Sequence, residues 1–244
     1  MRDLVRRMLR AAGYQLSRRI PQDFTPEDAA LFHQVEPYTL TPPERIYSCT
    51  RAVEYIVQRG IPGAIVECGV WKGGTMMAVA LTLLRLGDAR DLYLFDTFEG
   101  MAPPSAADVD FRGVDAASQL ARGKDPTRDR IWAFASEDEV RRSLLSTGYD
   151  PSRMHFVRGK VEDTLPGRAP DSISLLRLDT DWYESTRHEL EHLYPRLVKG
   201  GVIIIDDYGH WQGARRATDE YLAANDIGLL LNRIDYTARI GVKP

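Results

Sequence analysis

Ala64-Ile-Val-Glu-Cys-Gly-Val-Trp-Lys-Gly-Gly-Thr75 is the stretch that decides the fold. A short, largely apolar run gives way to a turn bearing Gly69, Gly73 and Gly74, and an apolar helix pattern follows from about Thr75 to Leu86. A strand that is apolar throughout, rather than alternating, belongs to a sheet covered on both faces. Working outward, Leu92–Phe95, Met154–Val157, Ile173–Leu178 and Val202–Ile205 repeat the pattern. Helices are expected between them: one capped by Ser136 and ending near Gly148, one near Tyr183–Leu197 and one at about Ala214–Ala224. This alternation predicts parallel βαβ units with right-handed crossovers. The expected fold class is therefore α/β, a doubly wound, mostly parallel sheet, with Gly228–Leu231 and Thr237–Val242 adding an antiparallel hairpin.

Two helix starts precede the sheet. Thr25-Pro-Glu-Asp and Thr41-Pro-Pro-Glu each offer a hydroxyl cap, a proline and an acid three residues on. The second helix is expected from about Pro42 to Arg59, stopping at Gly60. The stretch from Thr97 to Ala135 has weak periodicity and reads as a long insertion, a lid or acceptor-recognition loop. Residues 1–19 hold six arginines against Asp3, with apolar residues at helical spacing. They read as a basic amphipathic helix, either a peripheral membrane contact or an arm packed on the body or on a second subunit. The domain division expected is a helical extension at 1–35 and a nucleoside-binding domain at 36–244.

Composition narrows the classes. Across 244 residues, 32 basic and 35 acidic side chains give a net charge of −3, with 43% hydrophobic residues. This is ordinary globular composition, with no basic excess to support nucleic-acid binding. No run approaches a membrane span and no signal peptide is recognisable, so a cytoplasmic location is expected. Cys49 and Cys68 are too few for a disulfide scaffold or a zinc cluster.

The chemistry is expected beyond the carboxyl ends of the strands, where open parallel sheets bind ligands. Polar residues stand at those ends: Glu67 through Thr75, Asp96, Gly159 through Asp163, Asp179, and Asp206 with Asp207. The glycine turn lets backbone approach a ligand. Asp96 follows Gly74 by 22 residues, close to the spacing of an acid that grips ribose hydroxyls. The turn is not G-x-G-x-x-G, so the pyrophosphate cradle of a nicotinamide enzyme is unmatched. Glu67 would repel a pyrophosphate and take an ammonium, which favours S-adenosylmethionine.

Asp179, Asp206 and Asp207 would repel one another unless a cation joined them, and oxygen ligands suit magnesium. Asp181 is a possible fourth ligand, though capping the helix near Tyr183 fits it better. His210 follows the acidic pair by three residues and is a rival to Asp179 as general base. His188 and His192, four apart, read as surface residues. Tyr208, Trp211 and Arg215 flank the site as acceptor-pocket or packing residues.

Four motifs carry a resemblance: Val66-Glu-Cys-Gly-Val-Trp-Lys-Gly-Gly, Leu94-Phe-Asp-Thr-Phe-Glu-Gly, Leu178-Asp-Thr-Asp-Trp-Tyr-Glu-Ser-Thr and Gly200-Gly-Val-Ile-Ile-Ile-Asp-Asp-Tyr. Over about residues 36–240 the chain resembles the macrocin O-methyltransferase family, whose members modify sugar hydroxyls. The resemblance implies a class I methyltransferase fold with a seven-stranded sheet, S-adenosylmethionine as donor and magnesium. It implies Glu67, Gly69, Trp71, Gly73 and Thr75 around the methionine part, Asp96 at the ribose, and Val161 with Glu162 at the adenine. Asp179, Asp206 and Asp207 would form the metal group, with Asp179 or His210 as base. Related catechol methyltransferases carry a lysine base where Trp182 stands here, so that route is not expected. The acceptor class implied is a glycoside or glycan, and a homo-oligomer is expected. A nicotinamide-dependent sugar oxidoreductase and a non-catalytic nucleoside-binding partner protein are the competing readings.

Overall fold

The computed structural model describes residues 20–125 and 127–244. The amphipathic helix expected over 1–19 lies outside them. Helices α1 (Pro26–Val35) and α2 (Pro43–Gln58) lead into the sheet. Thr25 closes the expected capping box with Asp28. Thr41 does not cap α2: the helix begins at Pro43, so the cap position falls on Pro42, which has no side-chain acceptor.

The sheet has seven strands in the order β3-β2-β1-β4-β5-β7-β6. These are β1 (Ala64–Cys68), β2 (Leu92–Asp96), β3 (Met154–Arg158), β4 (Ile173–Leu178), β5 (Leu197–Ile205), β6 (Asn232–Arg233) and β7 (Arg239–Val242). The first five pair in parallel, and β7 runs antiparallel to both β5 and β6. Alternate side chains feed two cores. Ile65, Leu94, Leu175 and Ile204 pack with Phe32, Val53, Met76 and Leu83 on one face, under α1, α2 and α3 (Gly74–Leu86). Val66, Phe95, Leu176 and Ile203 pack with Leu190 and Leu193 on the other. That second face is covered by α7 (Tyr183–Leu193), which packs on α8 (Gln212–Ala224). Burial on both faces is why these strands read as unbroken apolar runs.

Three boundaries differ from expectation. Helix α7 stops at Leu193 and passes into a 3₁₀ turn at Tyr194–Arg196, because Pro195 has no amide to continue the α-helical ladder. β5 begins at Leu197, running through Gly200 and Gly201, well before Val202. The closing hairpin is shorter and shifted: its first strand is Asn232–Arg233, because Leu229 and Leu231 pack on the second core rather than joining a ladder.

The 97–135 insertion is tied down. It carries the short α4 (Ala116–Leu120), and Ala116 and Leu120 pack with Trp182, Trp211 and Ala214. α5 (Glu137–Leu145), capped by Ser136 as expected, and α6 (Val161–Thr164) complete the layers.

Candidate active site

Register sets the floor of the site. Cys68 pairs with Leu178, and Leu178 with Ile205. The next residues, Asp179 and Asp206, therefore come side by side, their amides donating to the Cys68 and Leu178 carbonyls at 2.9 Å each. Asp207 follows at once, and one oxygen from each of the three carboxylates lies within 4.8 Å of the others. All three line a cavity of about 270 Å³ at the strand ends.

Two arginines that sequence reasoning passed over hold two of these three carboxylates, Asp179 and Asp206. The Arg177 side chain is 4% exposed. Its Nη1 donates to Glu67 Oε1 at 2.6 Å and meets Asp179 Oδ2 at 2.7 Å, while Nη2 donates to Asp206 Oδ1 at 2.6 Å. Arg45 of α2 pairs with the other Asp206 oxygen and with Asp235 Oδ2 at 2.8 Å. The available signal was a charged residue inside a strand covered on both faces, where charge persists only when paired. Glu67 stands opposite Arg177 in the β1–β4 register.

These contacts decide the protonation pattern. Burial and repulsion by neighbouring carboxylates push Asp179 and Asp207 well above the usual range, against the pull of Arg177 on Asp179 and of Arg45 and Arg177 on Asp207. Asp206 goes the other way: burial opposes its ionisation, but Arg177, Arg45 and a hydrogen bond with Asp179 hold it below its ordinary value. Burial, opposed by Arg177, raises Glu67 to about 7. Crowded carboxyls on an oxygen-only donor set, Asp206 and Asp207 buried and Asp179 partly so, suit a hard divalent ion, which would favour their charged forms.

The glycine turn is built by backbone. Gly69 has φ +81°, and a Cβ there would lie 2.0 Å from the Asp179 carbonyl oxygen, so only glycine lets the turn cross so close to the acids. Asp96 Oδ2 accepts from the amides of Val70 at 2.6 Å and Trp71 at 3.1 Å, and Oδ1 accepts from Phe98 at 2.7 Å. The acid expected at the ribose thus also braces the turn, while still lining the cavity. Trp71, Thr75, Val161 and Glu162 line it too. Gly73 and Glu67 do not. Gly73, at φ +89°, faces α5, where a Cβ would meet Leu144 Cδ2 at 2.6 Å. Glu67 lies buried behind Arg177, and its Oε2 has no hydrogen-bond partner among the described residues.

Three expectations about the far side need correction. His210 is outside this cavity: it lines a second depression with Phe111, Tyr208 and Arg215, and its Nδ1 meets the Tyr236 hydroxyl at 3.0 Å. The loop after Asp207 turns the imidazole toward that aromatic group, so a base role for His210 has no geometric support. Asp181 does not cap α7. The Tyr183 amide donates instead to Asp108 Oδ1, from the insertion, at 2.7 Å. Asp181 itself has φ +68° and lines the cavity, with its Oδ1 accepting from Trp211 Nε1 at 2.6 Å. Burial and then the Asp179 charge raise it to about 7. Trp182 packs edge-on against Trp211, centroids 5.0 Å apart, and donates to the Ala102 carbonyl at 2.8 Å, pinning the insertion as a wall. Tyr208 and Arg215 flank the second depression, with Trp211 touching both sides.

Glu189 was also missed. It is fully buried on the inner face of α7, with Oε1 accepting from Thr180 Oγ1 at 2.9 Å. Its spacing from Thr186 and Leu193 places it on an apolar helix face, which is the signal that marks it.

The profile of the macrocin-O-methyltransferase (TylF) family matches residues 9–240. The chain belongs to this family. It is an enzyme, an O-methyltransferase. The demethyldecarbamoylnovobiocin O-methyltransferase of Streptomyces niveus is 34% identical over 200 residues, 81% of this chain and 72% of that protein. The 8-demethyl-8-(2,3-dimethoxy-alpha-L-rhamnosyl)-tetracenomycin-C 4'-O-methyltransferase of Streptomyces olivaceus is 34% identical over 201 residues, 82% of this chain and 73% of that one. The solved structure of the O-methyltransferase NovP superposes with a TM-score of 0.71 at 32% identity, covering 84% of this chain and 82% of that chain. The family match begins at residue 9, ahead of residue 36, where the resemblance is expected to start. Among the described residues, no helix is long and apolar enough to cross a membrane.

Proposed function

We propose that this O-methyltransferase moves a methyl group from S-adenosylmethionine to a sugar hydroxyl of a natural-product glycoside, with magnesium as its metal. The observation that carries the reading is one cavity edged by the Gly69–Thr75 turn on one side and by Asp179, Asp206 and Asp207 on the other. The rhamnosyl acceptor in the name of the Streptomyces olivaceus relative supports a sugar as the acceptor.

The residues fit both groups. The orphaned Oε2 of Glu67, although outside the cavity lining, is a buried acceptor two residues before Gly69 and suits an ammonium there. Asp96 is available to ribose hydroxyls, and Val161 and Glu162 to the base. Asp179, Asp206 and Asp207 would hold the ion. S-adenosylmethionine supplies an electrophilic methyl on a sulfonium. A magnesium ion supplies a Lewis acid that makes a sugar hydroxyl easier to deprotonate.

The chain's own residues then do the remaining work. Arg177 and Arg45 hold Asp206 in place, and Arg177 holds Asp179, so these carboxylates meet the acceptor side already oriented. Asp181 is the better proton acceptor than Asp179. It lines the cavity, no arginine pairs with it among the described residues, and Trp211 fixes its direction. Burial moves this carboxyl above the ordinary carboxylate range, in the direction that suits proton transfer near neutral pH. Trp182, Met101 and Ala102 form an apolar wall that limits water at the reacting centre.

The test is incubation with S-adenosylmethionine, MgCl2 and a panel of deoxysugar-bearing glycosides, read by mass spectrometry. Gain of one methyl group on the sugar, lost on chelation, is the expected result. Methylation of aglycones alone, or full turnover in a chelator, would sink the corresponding half of the proposal.

A further inference from the structure

We propose that Arg177 is a positioning residue coupling the donor side of the site to its acidic side, so that a divalent cation and the nucleoside donor each strengthen the other's binding. This inference rests on the methyl-transfer reading above and adds an energetic link that the reading does not require.

The argument begins with one guanidinium serving three strands. Arg177 projects from β4 and grips Glu67 of β1 through Nη1 and Asp206, at the end of β5, through Nη2. Asp179, at the end of its own strand, shares Nη1 with Glu67, at 2.7 Å and 2.6 Å respectively. Glu67 stands in β1 two residues before Gly69 of the turn that would receive the donor, whereas Asp179 and Asp206 belong to the group that would receive the ion. Among the described residues, Arg177 alone makes ion pairs with carboxylates of both groups.

The geometry leaves little slack. A guanidinium is a planar, rigid fork, so the positions of its nitrogens are not independent. With a side chain 4% exposed and the backbone locked in a central strand, a small displacement of Asp179 or Asp206 is passed to Nη1 and on to Glu67 Oε1. Ordering the two aspartates with a cation therefore also orders Glu67. A ligand that meets an already ordered partner loses less conformational freedom on binding, which makes the coupling positive. Linkage makes it reciprocal. Arg45 supplies an internal control. It pairs with Asp206 and Asp235 but makes no ion pair with Glu67, so it supports the acidic side without bridging to the donor side.

The test is isothermal titration calorimetry on the full chain after chelation, titrating S-adenosylhomocysteine with and without MgCl2. In the wild type, magnesium is expected to tighten S-adenosylhomocysteine roughly tenfold, within the ~5- to 150-fold span typical of coupled sites. Arg177→Lys keeps a positive charge and loses the fork, and its coupling factor should fall to about one. Arg45→Gln should weaken magnesium binding and keep the coupling factor. Circular dichroism melting checks each fold. If Arg177→Lys does not fold, Glu67→Gln, which leaves the guanidinium in place and weakens one arm of the bridge, should lose the coupling instead. Binding of S-adenosylhomocysteine that ignores magnesium in the wild type overturns this proposal and leaves methyl transfer standing. The same holds for a coupling factor unchanged in the folded Arg177→Lys or Glu67→Gln variant. No binding of S-adenosylhomocysteine in the wild type under either condition overturns both.

Discussion

The two sides of the cavity are made from different materials. The turn side is backbone: Gly69 crosses at a separation no side chain permits, and Asp96 gathers the Val70, Trp71 and Phe98 amides. Its parts lie close in sequence, between Gly69 and Phe98. The acidic side is charge: Arg177 holds Asp179 and Asp206, Arg45 holds Asp206, and Asp207 accepts from the Asp181 amide, with parts contributed by segments as far apart as α2 and the end of β5. Steric constraints are insensitive to pH and ions, whereas buried ion pairs are sensitive to both. The turn side should therefore behave as a rigid scaffold, and the acidic side as the part that responds to conditions.

The sharpest way to separate the two sides is Asp179→Asn. We expect turnover to fall about a thousandfold or more while S-adenosylhomocysteine still binds, because several kcal/mol of transition-state stabilisation depend on the acidic side. Steady-state kinetics with calorimetry would check it, and retained turnover would remove Asp179 from the reaction. Next is a paired substitution. Asp181→Asn should lower kcat by roughly 10²- to 10³-fold, and His210→Ala by less than about twofold, because only the first reaches the cavity. The reverse order would restore His210 as base.

On the turn side, Gly69→Ala should destabilise the fold by about 3 kcal/mol or more in urea unfolding, since it combines a positive φ with a direct backbone clash. A variant as stable as the wild type would show that the turn can relax, and the contrast between the two sides would fail. The smallest expected effect is a pH slope. Glu67 is raised from 4.5 to about 7, so the folded state keeps a proton that the unfolded chain releases. Stability in a chelator should therefore fall as pH rises across that window, by an amount on the order of 2 kcal/mol. Glu67→Gln should flatten its share of the slope. The lowered Asp206 acts in a separate window, losing its contribution as pH falls below about 3.8. A wild-type stability that rises between 4.5 and 7 would contradict the burial of Glu67.

Much of this was legible beforehand. The five parallel strands, the turn and the convergence of Asp179 with Asp206 and Asp207 follow from apolar runs punctuated by polar residues at the strand ends. Each of those signals is local. What escaped was pairwise. Arg177 stood in plain view inside β4, but its partners depend on the register that sets Glu67 opposite it. Asp181 has the spacing of a helix cap, but the Tyr183 amide is taken by Asp108, from the long insertion. His210 looked like a neighbour of the acids because it is near them in sequence, whereas the loop turns it toward Phe111 and Tyr236. The closing hairpin shifted because Leu229 and Leu231 were worth more in the core than in a ladder.

The sequence by itself determined the doubly wound sheet, the edge on which the chemistry sits and the acids that reach it, because hydrophobic periodicity and turn residues act over a few neighbours in the chain. Only the tertiary structure decided which arginine neutralises which carboxylate, which acid stays unpaired with a cation and which side of Trp211 each residue faces. Those choices depend on strand register and loop direction, and the energies that select them arise between residues far apart in the chain and close together in space.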